Sequence, residues 1–310
     1  MSDIAIRASQ LTKRYGNTLA VDAVELAIGR GQFFGLLGPN GSGKTSTVHM
    51  LSTLIRPTSG EAWVAGHAVH DEKLAVRRNI GVVFQDPALD GALSVAENLR
   101  FSGMLNNLSR AEIARRSSEL LELFGLSAER DRPVATLSGG MRRALDIARG
   151  MIHQPQILFL DEPTTGLDLP NRRAIWRHIA GLRARLGVTV FLTTHYLEEA
   201  ADCDEVAFLS SGSIVRRGRP RALIEELGRY IIEIETDRPQ ELAEQLKPRL
   251  GEALVEADRL QFRCDREPAE LASLQSELAV GARAVRWRRP NLNDVFLWVN
   301  RTRLSQRRAA

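Results

Sequence analysis

A complete phosphate loop, G-x-x-x-x-G-K-T, runs as Gly38-Pro39-Asn40-Gly41-Ser42-Gly43-Lys44-Thr45, and it constrains the fold more than any other stretch of the chain. The motif works only between a strand and a helix. Its backbone N–H groups must converge on one point at a helix N-terminus, where the helix dipole also favours negative charge. Both flanks meet that demand: Phe33-Phe34-Gly35-Leu36-Leu37 is a short apolar run, and Val48, Leu51 and Ile55 recur at helical spacing behind the loop. The stretch from Gly38 to Ser46 is therefore a candidate nucleotide cradle, with Lys44 reaching the β- and γ-phosphates and Thr45 placed to ligate Mg²⁺. Such a cradle leaves the reaction unspecified.

From residue 4 to about 226, short β-branched runs alternate with helical stretches, the pattern of an α/β domain built on a largely parallel sheet. Ser109, followed by Glu112 ahead of the amphipathic run to Phe124 and Gly125, reads as a capping box. The region of about 90–150 is expected to be a helical subdomain inserted in the strand series. After Gly228 the texture changes. Tyr230 to Glu235 alternates as a strand, Pro239 to Leu250 is helical, and short strands follow near 253–257 and 260–264. A second helix near Pro268, a strand at about 283–288 and a final helix opened by Asn291 complete a βαββαβ order, as in a ferredoxin-like unit. Two domains are expected, 1–226 and 229–310, which suits a chain of 310 residues.

Composition narrows the class further. No run approaches the about 18 to 20 consecutive apolar residues of a membrane span. Ile157-Leu158-Phe159-Leu160 and Val188-Thr189-Val190-Phe191-Leu192 fit buried parallel strands instead. Met1-Ser2-Asp3-Ile4 has neither a basic nor an apolar leader region, and Cys203 and Cys264 lack metal-ligand spacing, so a cytoplasmic protein with two ordinary thiols is expected. The formal charge of +4 is uneven: residues 283–310 hold eight arginines against Asp294 alone, a local +7 that leaves about −3 elsewhere. A solvated, partly disordered basic end is expected there, with anionic lipid or nucleic acid as conceivable contacts.

Further motifs follow in a fixed order: Gln85 after Ile80-Gly81-Val82-Val83-Phe84, then Leu137-Ser138-Gly139-Gly140-Met141, then Ile157-Leu158-Phe159-Leu160-Asp161-Glu162, then Gly166-Leu167-Asp168, then His195. Over roughly the first 225 residues this succession resembles the ATP-binding cassette (ABC) ATPases. The resemblance implies a P-loop NTPase fold and roles for each position. Asp161 holds Mg²⁺ and Glu162 acts as general base on the attacking water. Gln85 offers its carbonyl oxygen to Mg²⁺ or to the water, and His195 donates to the γ-phosphate. Tyr15, in Lys13-Arg14-Tyr15-Gly16, resembles the platform on which adenine stacks.

Ser138, Gly139 and Gly140 open a helix and form a second anion site. In the family that site closes on the ATP of another cassette, so a second ABC ATPase subunit, most simply an identical copy, is an expected partner, with Asp168 at the same seam. Met141 stands where the family has glutamine, a change that leaves the serine and glycines in place. Gln85-Asp86-Pro87-Ala88-Leu89-Asp90, Gly139-Gly140-Met141-Arg142-Arg143 and Thr194-His195-Tyr196-Leu197-Glu198-Glu199-Ala200 are similar to the daunorubicin-resistance branch of exporter ATPases, as is a C-terminal extension with Asn293-Asp294-Val295-Phe296-Leu297. In that branch the pore is a separate transmembrane permease, expected to dock on the region of about 86–104 and to hold the chain on the cytoplasmic face of the membrane. The alternative is a soluble cassette protein acting on nucleic acid or ribosomes. Translation-type members carry two cassettes and repair-type members long coiled-coil insertions; this chain has neither, and no nucleic-acid partner is expected.

Overall fold

A computed structural model describes residues 3–266, 270, 278 and 282–309, with the backbone alone for 301–309. The chain divides into two compact units, Met1–Tyr196 with Cys203–Ile214, and Leu197–Asp202 with Val215–Ala310. The boundary expected between 226 and 229 lies further along the chain than this division. Val215–Gly228 belongs to the C-terminal unit.

The first unit begins with β1 (Ile4–Tyr15), β2 (Thr18–Gly29), β3 (Phe33–Leu37), α1 (Lys44–Leu51), β4 (Ser59–Val64), β5 (His67–Ala68), α2 (Lys73–Asn79) and β6 (Ile80–Val83). It continues with α3 (Val95–Leu105), α4 (Arg110–Leu123), α5 (Gly139–Met151), β7 (Ile157–Asp161), α6 (Leu169–Leu186), β8 (Thr189–Thr194) and β9 (Glu205–Ser210); β10 (Ser213–Gly218) carries the chain across the boundary. Two sheets result. One is antiparallel, in the order β2-β1-β4-β5, and the other runs parallel through β9-β3-β8-β7-β6. The expected parallel sheet is thus only half of the architecture. Strands β1 and β2 are long but bulged, with left-handed backbone at Gln10 (φ 51°) and Ala23 (φ 47°), and the bulges interrupt the period-2 pattern that would have announced them.

Every residue of β3, β7 and β8 is buried, as parallel strands covered on both faces must be. Phe34, Phe191 and Phe159 lock the three together, with ring centroids 5.4 Å apart in each pair. The register sets Leu37 beside Thr194, Thr193 beside Asp161 and Leu160 beside Val83, so the segments leaving four neighbouring strands emerge side by side. That carboxyl edge is where an open α/β sheet binds ligands.

The helical region contains α3, α4 and α5. Ser109 and Glu112 form the expected capping box on α4, and Ser94 and Glu97 form another on α3. Backbone N–H groups donated by the serines hold both glutamates below the usual carboxylate range.

In the second unit, α7 (Pro220–Glu225), β11 (Tyr230–Glu235), α8 (Pro239–Leu250), β12 (Leu254–Glu256), β13 (Arg259–Cys264), β14 (Ala284–Arg288) and α9 (Leu292–Ala309) follow in turn. The antiparallel sheet has the order β12-β13-β11-β14 around Ile232, Ile234, Leu260 and Phe262. That is the strand order of a split β-α-β arrangement. The helix expected near Pro268 lies outside the described residues. Part of the expected basic end is paired within this unit: Arg283 meets Asp237 and Asp258, each at 3.1 Å, and Arg288 meets Glu233 and Asp294. Beyond Asn300 the backbone stays helical to Ala309.

Candidate functional site

The loop between β3 and α1 turns through left-handed glycines, Gly41 at φ 77° and Gly43 at φ 107°. A side chain on Gly43 would strike the Ala20 carbonyl oxygen, and one on Gly38 that of Leu209, so the backbone approach is possible only for glycine. No side chain caps α1. The Ser42 hydroxyl is buried without a partner, and the N-terminal amides of α1 face the same turn. These donors fit a polyphosphate anion.

Lys44 is only 4% exposed. Its Nζ donates to the Gly38 and Pro39 carbonyl oxygens at 2.9 and 3.1 Å and pairs with Glu162 Oε1 at 3.3 Å. Glu162, the residue after β7, takes the left-handed conformation (φ 48°), which costs a non-glycine residue about 1–3 kcal/mol. Its N–H donates to the carbonyl oxygen and to Oγ1 of Thr193, at 3.0 and 3.2 Å. The carboxylate Oε2 accepts from Thr165 Oγ1 at 3.2 Å and lies 3.1 Å from His195 Nδ1. Three expected residues from three chain segments, Lys44, Glu162 and His195, thus share one buried carboxylate. The His195 ring packs on Tyr196 at 4.0 Å, and the Arg172 guanidinium lies 4.0 Å from the Tyr196 ring.

Asp161 ends β7 with a buried carboxylate that accepts from Thr193 Oγ1. Thr45 is exposed in the first turn of α1, and Gln85 is exposed two residues beyond β6. Among the described residues no group of three or more His, Cys, Asp or Glu could hold a metal. The expected set is instead a hydroxyl, an amide and one carboxylate, hard oxygen donors that suit Mg²⁺ with water completing its shell. Tyr15, 47% exposed, stands with its hydroxyl 3.4 Å from Ser46 Oγ and its ring 5.1 Å from Lys13 Nζ. The aromatic platform expected from sequence is therefore physically joined to the phosphate-loop helix.

Ser138, Gly139, Gly140 and Asp168 form a second group. Ser138 Oγ caps α5 by accepting from the Met141 N–H at 3.2 Å, and Asp168 Oδ1 caps α6 by accepting from the Asn171 N–H at 2.9 Å. The Asn171 carboxamide lies against Gly140, where any side chain would collide with it. Among the described residues no hydrogen bond or ion pair joins this group to Gly38–Ser46.

Sequence reasoning missed Arg143 and Thr193. Arg143 is 4% exposed and donates to the carbonyl oxygens of Phe84 and Pro163 at 2.5 Å, of Glu162 at 3.2 Å, and of Gln85 and Asp161 at 3.4 Å. It faces Asp146 at 3.5 Å. Burial pushes the Asp146 carboxyl above and the Arg143 guanidinium below their ordinary values, with their mutual attraction opposing both shifts. The available signal was the pair itself, two opposite charges three residues apart on the face of α5 that also buries Ala144 and Ile147.

A buried lysine at a glycine-rich helix start, a neighbouring acid pair at a strand end and a histidine on the acid are the parts of a phosphate-loop nucleotide-binding protein. The model of the ABC transporter family matches residues 21–165. The doxorubicin resistance ATP-binding protein DrrA of Mycobacterium tuberculosis is 41% identical over 95% of this chain and 93% of its own length. The Nod factor export ATP-binding protein I of Cupriavidus metallidurans is 40% identical over 94% and 96%. Among solved structures, cbiO1 from Clostridium perfringens, part of the ABC transporter complex cbiONQ, superposes with a TM-score of 0.68 at 27% identity, covering 80% of this chain and 96% of that one. The chain belongs to the ATP-binding proteins of the ABC transporter family.

Proposed function

We propose that the chain is the ATP-hydrolysing motor of a membrane exporter, working through a separate permease and as a pair of cassettes. The observation that carries the chemistry is the Glu162 carboxylate, 3.3 Å from Lys44 and 3.1 Å from His195. In this reading ATP lies in the Gly38–Ser46 cradle with adenine on Tyr15 and its phosphates on Lys44. Glu162 takes the proton from the attacking water, and His195 orients that water and the γ-phosphate. Mg²⁺, held by Thr45, Gln85 and Asp161, would neutralise charge on the phosphate oxygens. The fixed Glu162 backbone holds the base in place before substrate arrives.

Ser138 and Asp168 stand at the N-termini of α5 and α6, where free backbone amides can receive an anion, which supports the use of Ser138, Gly139, Gly140 and Asp168 on the nucleotide of a second copy. Two copies related by a two-fold axis complete two sites. Phe101, Met104 and Leu105 are exposed on α3, partly within the 86–104 segment expected to receive the permease. No helix among the described residues is long and apolar enough to cross a membrane, in keeping with a motor that sits on the cytoplasmic face and borrows its pore. Export of a drug-like or lipid-like molecule is favoured by the relatives named for doxorubicin resistance and Nod factor export. The test is reconstitution with its permease in inside-out vesicles. ATP-dependent accumulation of doxorubicin or of a Nod factor is expected, and ATPase activity indifferent to every co-expressed permease would reject the motor role.

A further inference from the structure

We propose that Arg143 is a positioning residue for hydrolysis, its guanidinium fixing the Gln85 and Glu162 backbones relative to each other and tying both to the helix that starts at Ser138. The inference rests on the reading of Glu162 as the base. Arg143 faces Asp146 on its own helix, but its donors also leave that helix. Here Nε, Nη1 and Nη2 all reach carbonyl oxygens on two other segments, Phe84–Gln85 after β6 and Asp161–Glu162–Pro163 after β7. Each of those segments carries a residue assigned to the reaction. One planar fork spans both, which sets their separation in a way a lysine ammonium cannot.

The anchor is firm on its own helix as well. Asp146 holds the Arg143 side chain at 3.5 Å and is itself held by Arg149, at 3.2 Å to Nε and 3.0 Å to Nη2. Arg143 lies five residues beyond Ser138, about 7.5 Å along α5. A shift of α5 when Ser138–Gly140 engages a partner's nucleotide therefore moves the carbonyl oxygens that hold Gln85 and Glu162. Closure of the pair and alignment of the base become one event. The Glu162 backbone needs such support, because its left-handed conformation is unfavourable by itself.

The test uses the full chain with Arg143→Lys, which keeps the charge beside Asp146 and loses the fork. Nucleotide-binding sites are counted by titration, so that unfolded chains do not enter the rate. Turnover per site is expected to fall on the order of 100-fold, the loss that a misplacement of about 1 Å carries, while KM for ATP stays within about twofold. In a Glu162→Gln background, Arg143→Lys is expected to add no further loss, since both act through one group. If Arg143→Lys does not yield folded protein, Arg143→Gln is judged by the same criteria. Turnover per site within about threefold of normal, a parallel rise in KM, or full additivity with Glu162→Gln would each overturn the proposal. Failure of the base assignment registers separately, as near-normal hydrolysis by Glu162→Gln with Arg143 intact.

Discussion

Replacing Asp294 by alanine should unfold the C-terminal unit at a much lower temperature while leaving nucleotide binding intact. Asp294 is 1% exposed, and both of its oxygens are committed. Oδ2 accepts from Arg288 Nη1 at 2.7 Å and from the Asn291 N–H at 2.8 Å, and Oδ1 accepts from Arg288 Nη2 at 2.7 Å. This bidentate pair fastens α9 to the end of β14, and the carboxylates of Asp294 and Glu233 push the Arg288 guanidinium further up from its ordinary value. Removing one partner of a buried pair costs about 3–5 kcal/mol. Arg288 is 36% exposed and keeps Glu233 at 2.8 Å, which places the loss at the lower end, about 3 kcal/mol. For a unit of roughly 100 residues, at about 4–8 °C per kcal/mol, the midpoint should drop by about 12–24 °C. Calorimetry of the full chain with and without ATP separates the two units, because only the first is expected to be raised by the nucleotide. A drop below about 4 °C, equivalent to less than about 1 kcal/mol, would refute the role given to this pair.

Three further outcomes are expected. Burial holds the His153 and His178 imidazoles below their ordinary value, against the carbonyl oxygens of Ile80 and Leu123. The unfolded chain therefore binds protons that the folded chain excludes, and this contribution to stability is complete above about pH 6.5 and lost as pH falls through the folded values. Thermal midpoints from pH 7.5 down to 5 should decline and should flatten in the His153→Gln, His178→Gln double variant; an unchanged slope contradicts the assignment. Phe101→Asp with Met104→Asp on α3 should abolish co-purification with the permease while ATP binding persists, and undiminished recovery from membranes rejects that face as the docking site. Ser138→Arg should leave one ATP bound per chain yet reduce hydrolysis on the order of 100-fold, whereas normal turnover would remove Ser138 from the active site.

The candidate site was legible as a cluster because its chemistry demands particular residues at fixed spacing: Gly38 to Thr45, Asp161 with Glu162, and His195 all emerge on one edge of the parallel sheet. In the C-terminal unit, Tyr230–Glu235 alternates and Pro239 sits in the first turn of α8, so both elements carry their boundaries in their residues. The antiparallel sheet was hidden by its bulges, which break the alternation at Gln10 and Ala23. Arg143 was hidden for another reason. Its partners are backbone carbonyl oxygens, which every residue has, so nothing in the identities of Phe84 or Pro163 marks them as acceptors. Composition could not show which charges of the basic C-terminal stretch are spent within the fold: Arg283 and Arg288 pair with Asp237, Asp258, Glu233 and Asp294.

Hydrolysis depends above all, in the proposed mechanism, on Glu162 as the group that takes the proton from water. Single-turnover hydrolysis of ATP by Glu162→Gln, read beside ATP affinity and dimer content, tests this most directly. The expected result is a loss of hydrolysis of at least about 100-fold, the lower end of what one positioned base contributes, with ATP still bound and the two cassettes trapped together. Hydrolysis near the unsubstituted rate, or loss of ATP binding in its place, would contradict it.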